Sequence, residues 1–458
     1  MINRLLFPLL GETVKAKAIR GSLWASSGII ASQGLRLAGN LILTRILFPE
    51  AFGLMAIVQV FLVGLALFSD TGINLSIIQH ERGEDPNFLN TAWTIQVIRG
   101  GLLWFGACLL AWPAALFYDD QLLLQLLPVA GISAFVGGFQ PTKAVTANRR
   151  LMLGRVTAIE IGSQFITLTT LVALALIFRS VWALVIGDIL GEVLKLIFQR
   201  RFLSGPNNKF LWERSAAREL IKFGKWILLS TACGFLIGQG DRAILGKFTS
   251  FEQLGVYNIG FFLASFPLML CRVVAERVIF PLYKHKPPKA SKDNQHNLFR
   301  ARFMLIGAML ILNAALGISG VWLVGELYDS RYLLAGPILV LVSVSAVPNI
   351  VLSTHSGVLL AEGDSRRFMI LLISTAFVQS ITLFLGVQIW GIAGVALASG
   401  FSTLITCPLT QIFAKRYAAW NPWHDAIFLI LGLSVGALSV WIHYDVIRVL
   451  FGGVAFVK

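Results

Sequence analysis

Residues 45–58 read "RILFPEAFGLMAIV" and residues 247–260 read "KFTSFEQLGVYNIG". In each stretch a basic residue is followed five places on by Glu and eight places on by Gly. Arg45, Glu50 and Gly53 therefore map onto Lys247, Glu252 and Gly255 at an offset of 202 residues. A second echo follows: "FYDDQ" from Phe117 and "LYDSR" from Leu327 place Tyr118 over Tyr328 at an offset of 210, so short insertions separate the copies. One chain writing the same corner twice predicts an internal duplication, and the composition says of what.

Of the 458 residues, 56% are hydrophobic and 13% charged. That is too little charge to cover a soluble protein of this length. Apolar runs of about 20 residues recur from end to end, the length of a membrane helix. In hydrocarbon the backbone must satisfy its own hydrogen bonds, so these runs are helices, and the lack of alternating stretches argues against a barrel. The pattern predicts helices over 20–45, 50–80, 90–117, 121–147, 152–178, 181–202, 218–245, 253–283, 299–327, 332–360, 366–388, 391–416 and 425–443. The tail "YDVIRVLFGGVAFVK" is too short to span comfortably.

The expected fold is an all-α polytopic membrane protein. Two six-helix bundles are related by a parallel internal repeat, because six spans return the chain to the same side, and one or two helices follow. The expected division is 1–204 for the first lobe, 205–217 for a cytoplasmic linker, 218–417 for the second lobe and 418–458 for the extra helix and tail.

The net charge is +15. The basic residues are scattered over short loops, which favours a topological signal over nucleic-acid binding. With the N-terminus placed in the cytoplasm, the inner loops carry 27 Lys and Arg and the outer loops only Arg45, Arg179, Lys247 and Arg331. The acidic loop "HERGEDPN" runs against the rule. Trp112, Trp182, Trp322, Trp390 and Trp441 fall near outer ends, and Trp24, Trp93, Trp226, Trp420 and Trp423 near inner ends, as interfacial belts would place them. The run "LLFPLL" lacks a cleavage site, so the first long helix is the expected targeting signal. Cys108, Cys233, Cys271 and Cys407 sit in apolar runs without metal-ligand spacing, and neither a metal nor a cofactor is expected.

The repeated corner has a physical reading. Pro49 suits a first helical turn, and Glu50 and Glu252 sit where the helix dipole favours negative charge. Gly53 and Gly255 permit close helix packing. The alternative reading is that any tight hairpin would select such residues. With the surrounding sequence, "RILFPEAFGLMAIVQVFLVGLALFSDTGINLSIIQ" and "DRAILGKFTSFEQLGVYNIGFFLASFPLML" followed by "VIFPLY", the chain resembles the polysaccharide transporter family. These are the Wzx-type lipid-linked oligosaccharide flippases of the multidrug/oligosaccharidyl-lipid/polysaccharide exporter superfamily. The resemblance covers roughly residues 15–420. It implies two six-helix bundles around a central cavity that opens alternately to each side. The implied cargo is an undecaprenyl-pyrophosphate-linked sugar unit crossing a bacterial inner membrane, with membrane lipids, a polysaccharide polymerase and export machinery as partners.

Charged residues inside spans narrow the candidates, because each costs ~2.5–3.5 kcal/mol at mid-membrane unless it pairs or faces water. Arg36 lies about 13 Å along its helix from Arg45, and Arg242 about 7 Å from Lys247, at helical rise. With Arg99 and Lys195 they are the candidate cavity cations for a pyrophosphate, since a guanidinium binds phosphate through a bidentate fork. Snorkelling or an internal ion pair is the competing reading of each. Asp241 adjoins Arg242, and Arg272 with Glu276 reads as a structural i,i+4 pair. Asp188, Glu192 and Lys195 share one helix face. Asp70, in "FSDTGINLS", is a candidate partner of Arg99. Asp70, Glu160, Asp188, Glu192 and Asp241 are candidates for ion coupling, because a buried carboxylate can titrate when access switches. His355, in "STHSG", is expected to hydrogen-bond neighbouring Ser and Thr.

Other functions fit less well. "GDRAILGKF" has five residues between its glycines and Phe248 where a phosphate loop needs Ser or Thr, so ATP hydrolysis is not expected. A membrane glycan polymerase or ligase needs catalytic groups in a sizeable outer loop, and every predicted outer loop is short and without His. No catalytic residue is assigned. A drug or peptidoglycan-precursor exporter of the same superfamily stays open as the alternative cargo class.

Overall fold

A computed structural model describes residues 14–69, 72–150, 152–224 and 228–451. The described chain is all helical. Seven of its helices are long and apolar enough to cross a membrane, or nine if each of two bent pairs counts as one span. The chain is a multi-pass membrane protein. It divides into two compact units: one holds residues up to Phe48 and Val58–Ala232, the other Pro49–Ile57 and Cys233 onward.

In the first unit, α1 is Val14–Ile46. Helix α2 is Pro49–Phe68, its residues Pro49–Ile57 belonging to the second unit, α3 Ile73–Gln79, α4 Pro86–Tyr118, α5 Leu123–Gly138, α6 Lys143–Arg149, α7 Leu153–Phe178, α8 Val181–Phe202 and α9 Arg214–Gly224. Helix α4 packs along α5, and α7 packs along α8 and α1. Small residues bring α4 and α5 together: a methyl group on Gly138 would lie 3.0 Å from the Gln96 carbonyl.

Two expected spans are broken here. The run 50–80 stops at Phe68 and resumes at Ile73 after a left-handed Gly72. The run 121–147 bends by 54° between α5 and α6, next to Pro141, whose ring keeps the preceding residue out of the helical region. Trp93 also departs from the interfacial belt. It is buried, its ring N–H donates to Phe139 O at 3.3 Å, and it packs on Phe210 with centroids 4.8 Å apart. Trp226 lies outside the described residues.

Within the expected linker 205–217, residues 209–213 are bound to α4. Lys209 N donates to Asn90 Oδ1, Leu211 N to Thr94 Oγ1 and Glu213 N to Thr91 Oγ1, at 3.0–3.1 Å. Helix α9 then turns Ala216, Ala217 and Leu220 onto Ile73, Ile77, Phe88 and Leu89, leaving Arg214, Arg218 and Glu219 exposed. Arg82 clasps the join through Asp85 and Glu213. Its guanidinium, hydrogen-bonded to both carboxylates, holds Asp85 and Glu213 below the usual carboxyl range.

In the second unit, α10 is Leu228–Phe248, α11 Phe251–Ala264 and α12 Phe266–Val274, continued by a π-helical turn Ala275–Ile279 and α13 Phe280–His285. Helix α14 is Lys292–Leu327, α15 Ala335–Leu352, α16 Ser356–Ala361, α17 Ser365–Arg416, α18 Pro422–Ile442 and α19 Tyr444–Phe451. Helix α15 is apolar all round and almost wholly buried, and α11, α14, α17 and α18 pack against it. Helix α17 is two helices that reverse at Gly391 (φ 56°), as the sequence divides them, with Gly394 against the Gly386 carbonyl.

The expected span 253–283 bends by 44° at Ser265, just before Pro267, whereas 332–360 lies within one span, Ser330–Ala361, with turn residues at Ser353–His355. No ion pair joins Arg272 and Glu276 among the described residues, because the π turn begins between them and spoils the i,i+4 alignment. The tail 444–451 forms a short amphipathic helix against α17.

Candidate functional site

The repeated corner is built by opposite helix ends. Arg45 and Lys247 occupy the last turns of α1 and α10, and Glu50 and Glu252 the first turns of α2 and α11, each sign where the dipole favours it. Ser250 caps α11 by accepting from Gln253 N at 3.2 Å, whereas α2 starts on Pro49. Gly53 and Gly255 then do what small residues permit, and they do it mutually. A methyl on Gly53 would fall 1.8 Å from Phe251 O, and one on Gly255 would fall 1.9 Å from Pro49 O. Beside this pinch, Phe52 meets Tyr332 edge to face at 6.1 Å.

The first unit gathers some of the expected polar residues and separates others. Lys195 Nζ stands 3.8 Å from Glu192 Oε1, and Gln140 Nε2 donates to Glu192 Oε2 at 2.6 Å. Asp188 is half-buried one turn back on the same face. Glu160 on α7 and Arg36 on α1 are exposed, and neither forms an ion pair among the described residues. Arg99 donates to Ser69 Oγ at 2.9 Å and to Ala66 O at 2.6 Å, stapling the end of α2. Asp70, its expected partner, lies outside the described residues.

In the second unit Arg242 is caged. Its Nε donates to Asn258 Oδ1 at 2.8 Å and its Nη1 to Gly238 O at 3.2 Å. Its guanidinium lies 4.7 Å from the Phe261 ring centroid. Asp241 is buried and accepts from Tyr257 Oη at 2.9 Å. Together these contacts clasp α10 to α11.

The most deeply buried charge cluster was not assembled from sequence. Arg302 on α14, His355 after α15 and Asp425 on α18 are 2%, 1% and 1% exposed. Arg302 Nη2 donates to Asp425 Oδ1 at 3.2 Å, and Nη1 donates to Ala419 O at 2.7 Å. His355 Nε2 lies 3.1 Å from Asp425 Oδ2. The expected Ser and Thr side chains do not bond His355: Ser353 Oγ is with Cys271 Sγ, and Thr354 Oγ1 has no partner among the described residues while its carbonyl accepts from Tyr283 Oη. Farther along α14, α15 and α18, a cavity of about 350 Å³ is lined mainly by apolar side chains, including Leu310, Val347 and Phe428, with Asn313 and Ser343 among them.

Comparison with known proteins adds the family. A family described as "Polysaccharide biosynthesis protein" matches residues 42–287, more than half the chain and both copies of the corner. The chain belongs to that family. Among its relatives is the teichuronic acid biosynthesis protein TuaB of Bacillus subtilis. The two are 20% identical over 71% of this chain and 68% of TuaB. The succinoglycan biosynthesis transport protein ExoT of Rhizobium meliloti is 22% identical over 73% of this chain and 67% of ExoT. The fold of the chain is like that of the lipid II flippase MurJ in an inward closed conformation. That likeness has a TM-score of 0.64 at 14% identity, and covers 93% of this chain and 100% of MurJ. The resemblance to Wzx-type exporters read from the two corner regions therefore holds.

Proposed function

We propose that the chain is a flippase that carries lipid-pyrophosphate-linked oligosaccharide units across a bacterial inner membrane for the synthesis of a surface or secreted polysaccharide. The observation that carries the reading is the family match over residues 42–287, which takes in both corners. The flippase-like fold supports it. The working architecture is the pair of six-helix bundles, residues 1–204 and 218–417, with the N-terminus in the cytoplasm. The charge asymmetry between the two sets of loops supports that orientation.

The cycle is alternating access, with the pinch at Gly53 and Gly255 as its outer closure. A contact made of backbone at close range is bistable: it is formed or it is lost, since packed elements do not deform continuously. Arg36, Arg99, Lys195 and Arg242 are the candidate cations for the pyrophosphate. The cage around Arg242 argues for a supporting part there. Asp70, Glu160, Asp188, Glu192 and Asp241 are the candidate coupling carboxylates. The partners are the lipid-linked substrate and membrane lipids, with a polymerase and export machinery receiving the product.

The deciding experiment is reconstitution of the full chain into vesicles holding a lipid-pyrophosphate oligosaccharide in the leaflet that models the cytoplasmic side. A glycan-binding probe is added on the opposite side. Sugar that becomes accessible only with the protein present is the expected result. Sugar that never reaches the far leaflet removes the reading.

A further inference from the structure

The Arg302–His355–Asp425 cluster contains a conflict that geometry alone exposes. Arg302 Nη2 stands 3.0 Å from His355 Nε2 and 3.3 Å from Nδ1. A guanidinium can only donate, so it can hydrogen-bond a ring nitrogen only while that nitrogen keeps its lone pair. An imidazolium has none. Two cations about 3 Å apart, walled off from water, also repel strongly. The ring therefore takes either an N–H of Arg302 or a proton, but not both together. Asp425 faces both contestants, Oδ1 toward Arg302 and Oδ2 toward His355.

We propose that His355, Arg302 and Asp425 form a proton-binding site in which uptake of a proton on the imidazole displaces the Arg302 guanidinium from the ring. The proton comes from water and bonds to the free ring nitrogen. The cluster changes from a neutral set, Arg⁺ with Asp⁻ and neutral His, to one bearing a single net positive charge. Asp425 then accepts from the imidazolium N–H, and Arg302 keeps the Ala419 carbonyl.

Three broken segments meet here, so a rearranged cluster has somewhere to pass its strain. The turn Ser353–His355 interrupts the helix after α15. The link Tyr417–Asn421, with Ala418 left-handed at φ 55°, precedes α18 and supplies the Ala419 carbonyl. The π-helical turn Ala275–Ile279 leads into α13, whose Tyr283 is bound to the Thr354 carbonyl. Helix breaks and π turns concentrate at functional sites. Arg302 Nε, Thr354 Oγ1 and Trp420 Nε1 are buried with no hydrogen-bond partner among the described residues, which leaves alternative pairings to hand.

The other titratable or charged groups around the site are few. Helix α12 brings Cys271, bonded to Ser353, and α13 brings Tyr283. Helix α17 brings Cys407 and Lys415, the latter over the Trp420 ring at 5.8 Å. His424 on α18 stacks near Phe299 and Phe303. Proton binding at the site stands apart from the transport reading; only the use of the resulting movement rests on it.

The test is pH-jump infrared difference spectroscopy on the full chain in nanodiscs with isotope-labelled histidine and no lipid-linked sugar present. The expected result between pH 8 and pH 5 is an imidazolium signal with a shifted guanidinium band in the wild-type spectrum that is missing from His355→Gln, over and above the signal the other five histidines give in both. A wild-type signal that superimposes on that of His355→Gln overturns the proposal, as does an imidazolium signal with no guanidinium shift. Should His355→Gln fail to fold, Arg302→Met combined with Asp425→Leu serves, with the His355 signal and the guanidinium shift both expected to disappear over the same range. A spectrum identical to wild type overturns the proposal. Since no cargo is present, a failure here leaves the transport assay to stand or fall by itself.

Discussion

Gly53 and Gly255 each occupy the space where the other's helix passes. A methyl on either would penetrate a backbone carbonyl of the opposing first turn, Phe251 O for Gly53 and Pro49 O for Gly255. Backbone cannot rotate aside as a side chain can. Gly53→Ala or Gly255→Ala should therefore push the two helices apart, at about 1–3 kcal/mol each. Because both changes disturb one contact, the double variant should cost less than the sum. Thermal unfolding of the purified protein in detergent checks this; additive losses would show that the two positions act separately.

Breaking the Arg302–Asp425 pair should be far more damaging than its two residues suggest. Asp425→Ala leaves a guanidinium buried without its counter-charge, at about 3–5 kcal/mol. Arg302→Met combined with Asp425→Leu removes both charges and should recover most of that loss. The amount of folded protein extracted from membranes, compared by size-exclusion profile, is the readout. Equal losses in the single and double variants would contradict the argument.

The candidate cations should separate by what else they do. Arg36 is exposed and forms no ion pair among the described residues, so Arg36→Ala should leave stability within about 0.5 kcal/mol of wild type while impairing glycan translocation. Arg242→Ala loses Asn258, Gly238 and the Phe261 ring face, so it should lower stability and translocation together. Parallel melting and vesicle assays distinguish the two. Wild-type translocation by Arg36→Ala would remove Arg36 from the list.

Asp364 gives a pH prediction outside the spans. The Tyr417 hydroxyl donates to its Oδ2 at 2.6 Å, and the Arg367 backbone N–H and guanidinium add to this, lowering its carboxyl to about 2. A lowered value means that the contribution is whole above the unfolded carboxyl value, about 3.9. It fades as the pH falls from there toward 2. Asp364→Asn should thus be less stable than wild type at pH 7, with the gap narrowing below about pH 4 and closing only below pH 2. A gap between the two melting temperatures that stays constant from pH 7 to pH 2 would rule this out.

How much of this was legible in the sequence depended on range. Membrane helices announce themselves in 20 apolar residues, and the corners carried their own chemistry within nine: a basic end, an acidic start and a glycine. The breaks were harder. Pro141 and Pro267 sit in apolar runs where proline can also be tolerated, and only tertiary packing decides between a kink and a stop. Neither Arg302 nor Asp425 stands out in the sequence, because 123 residues separate them. Only the packing of α14 against α18 turns them into a pair. The strap over α4 was foreshadowed by Asn90, Thr91 and Thr94, polar residues on a membrane-edge helix that had no stated use. A polar stripe in that position is the signal that could have found it.

The corner also constrains how the protein can be repaired once damaged. Since carbonyl oxygens, not side chains, fill the space beside Gly53 and Gly255, no smaller neighbour can be substituted to make room. A genetic suppressor of Gly53→Ala should therefore arise where the hairpin sets its direction, at Pro49 or Ser250, and not among the apolar side chains packed around it.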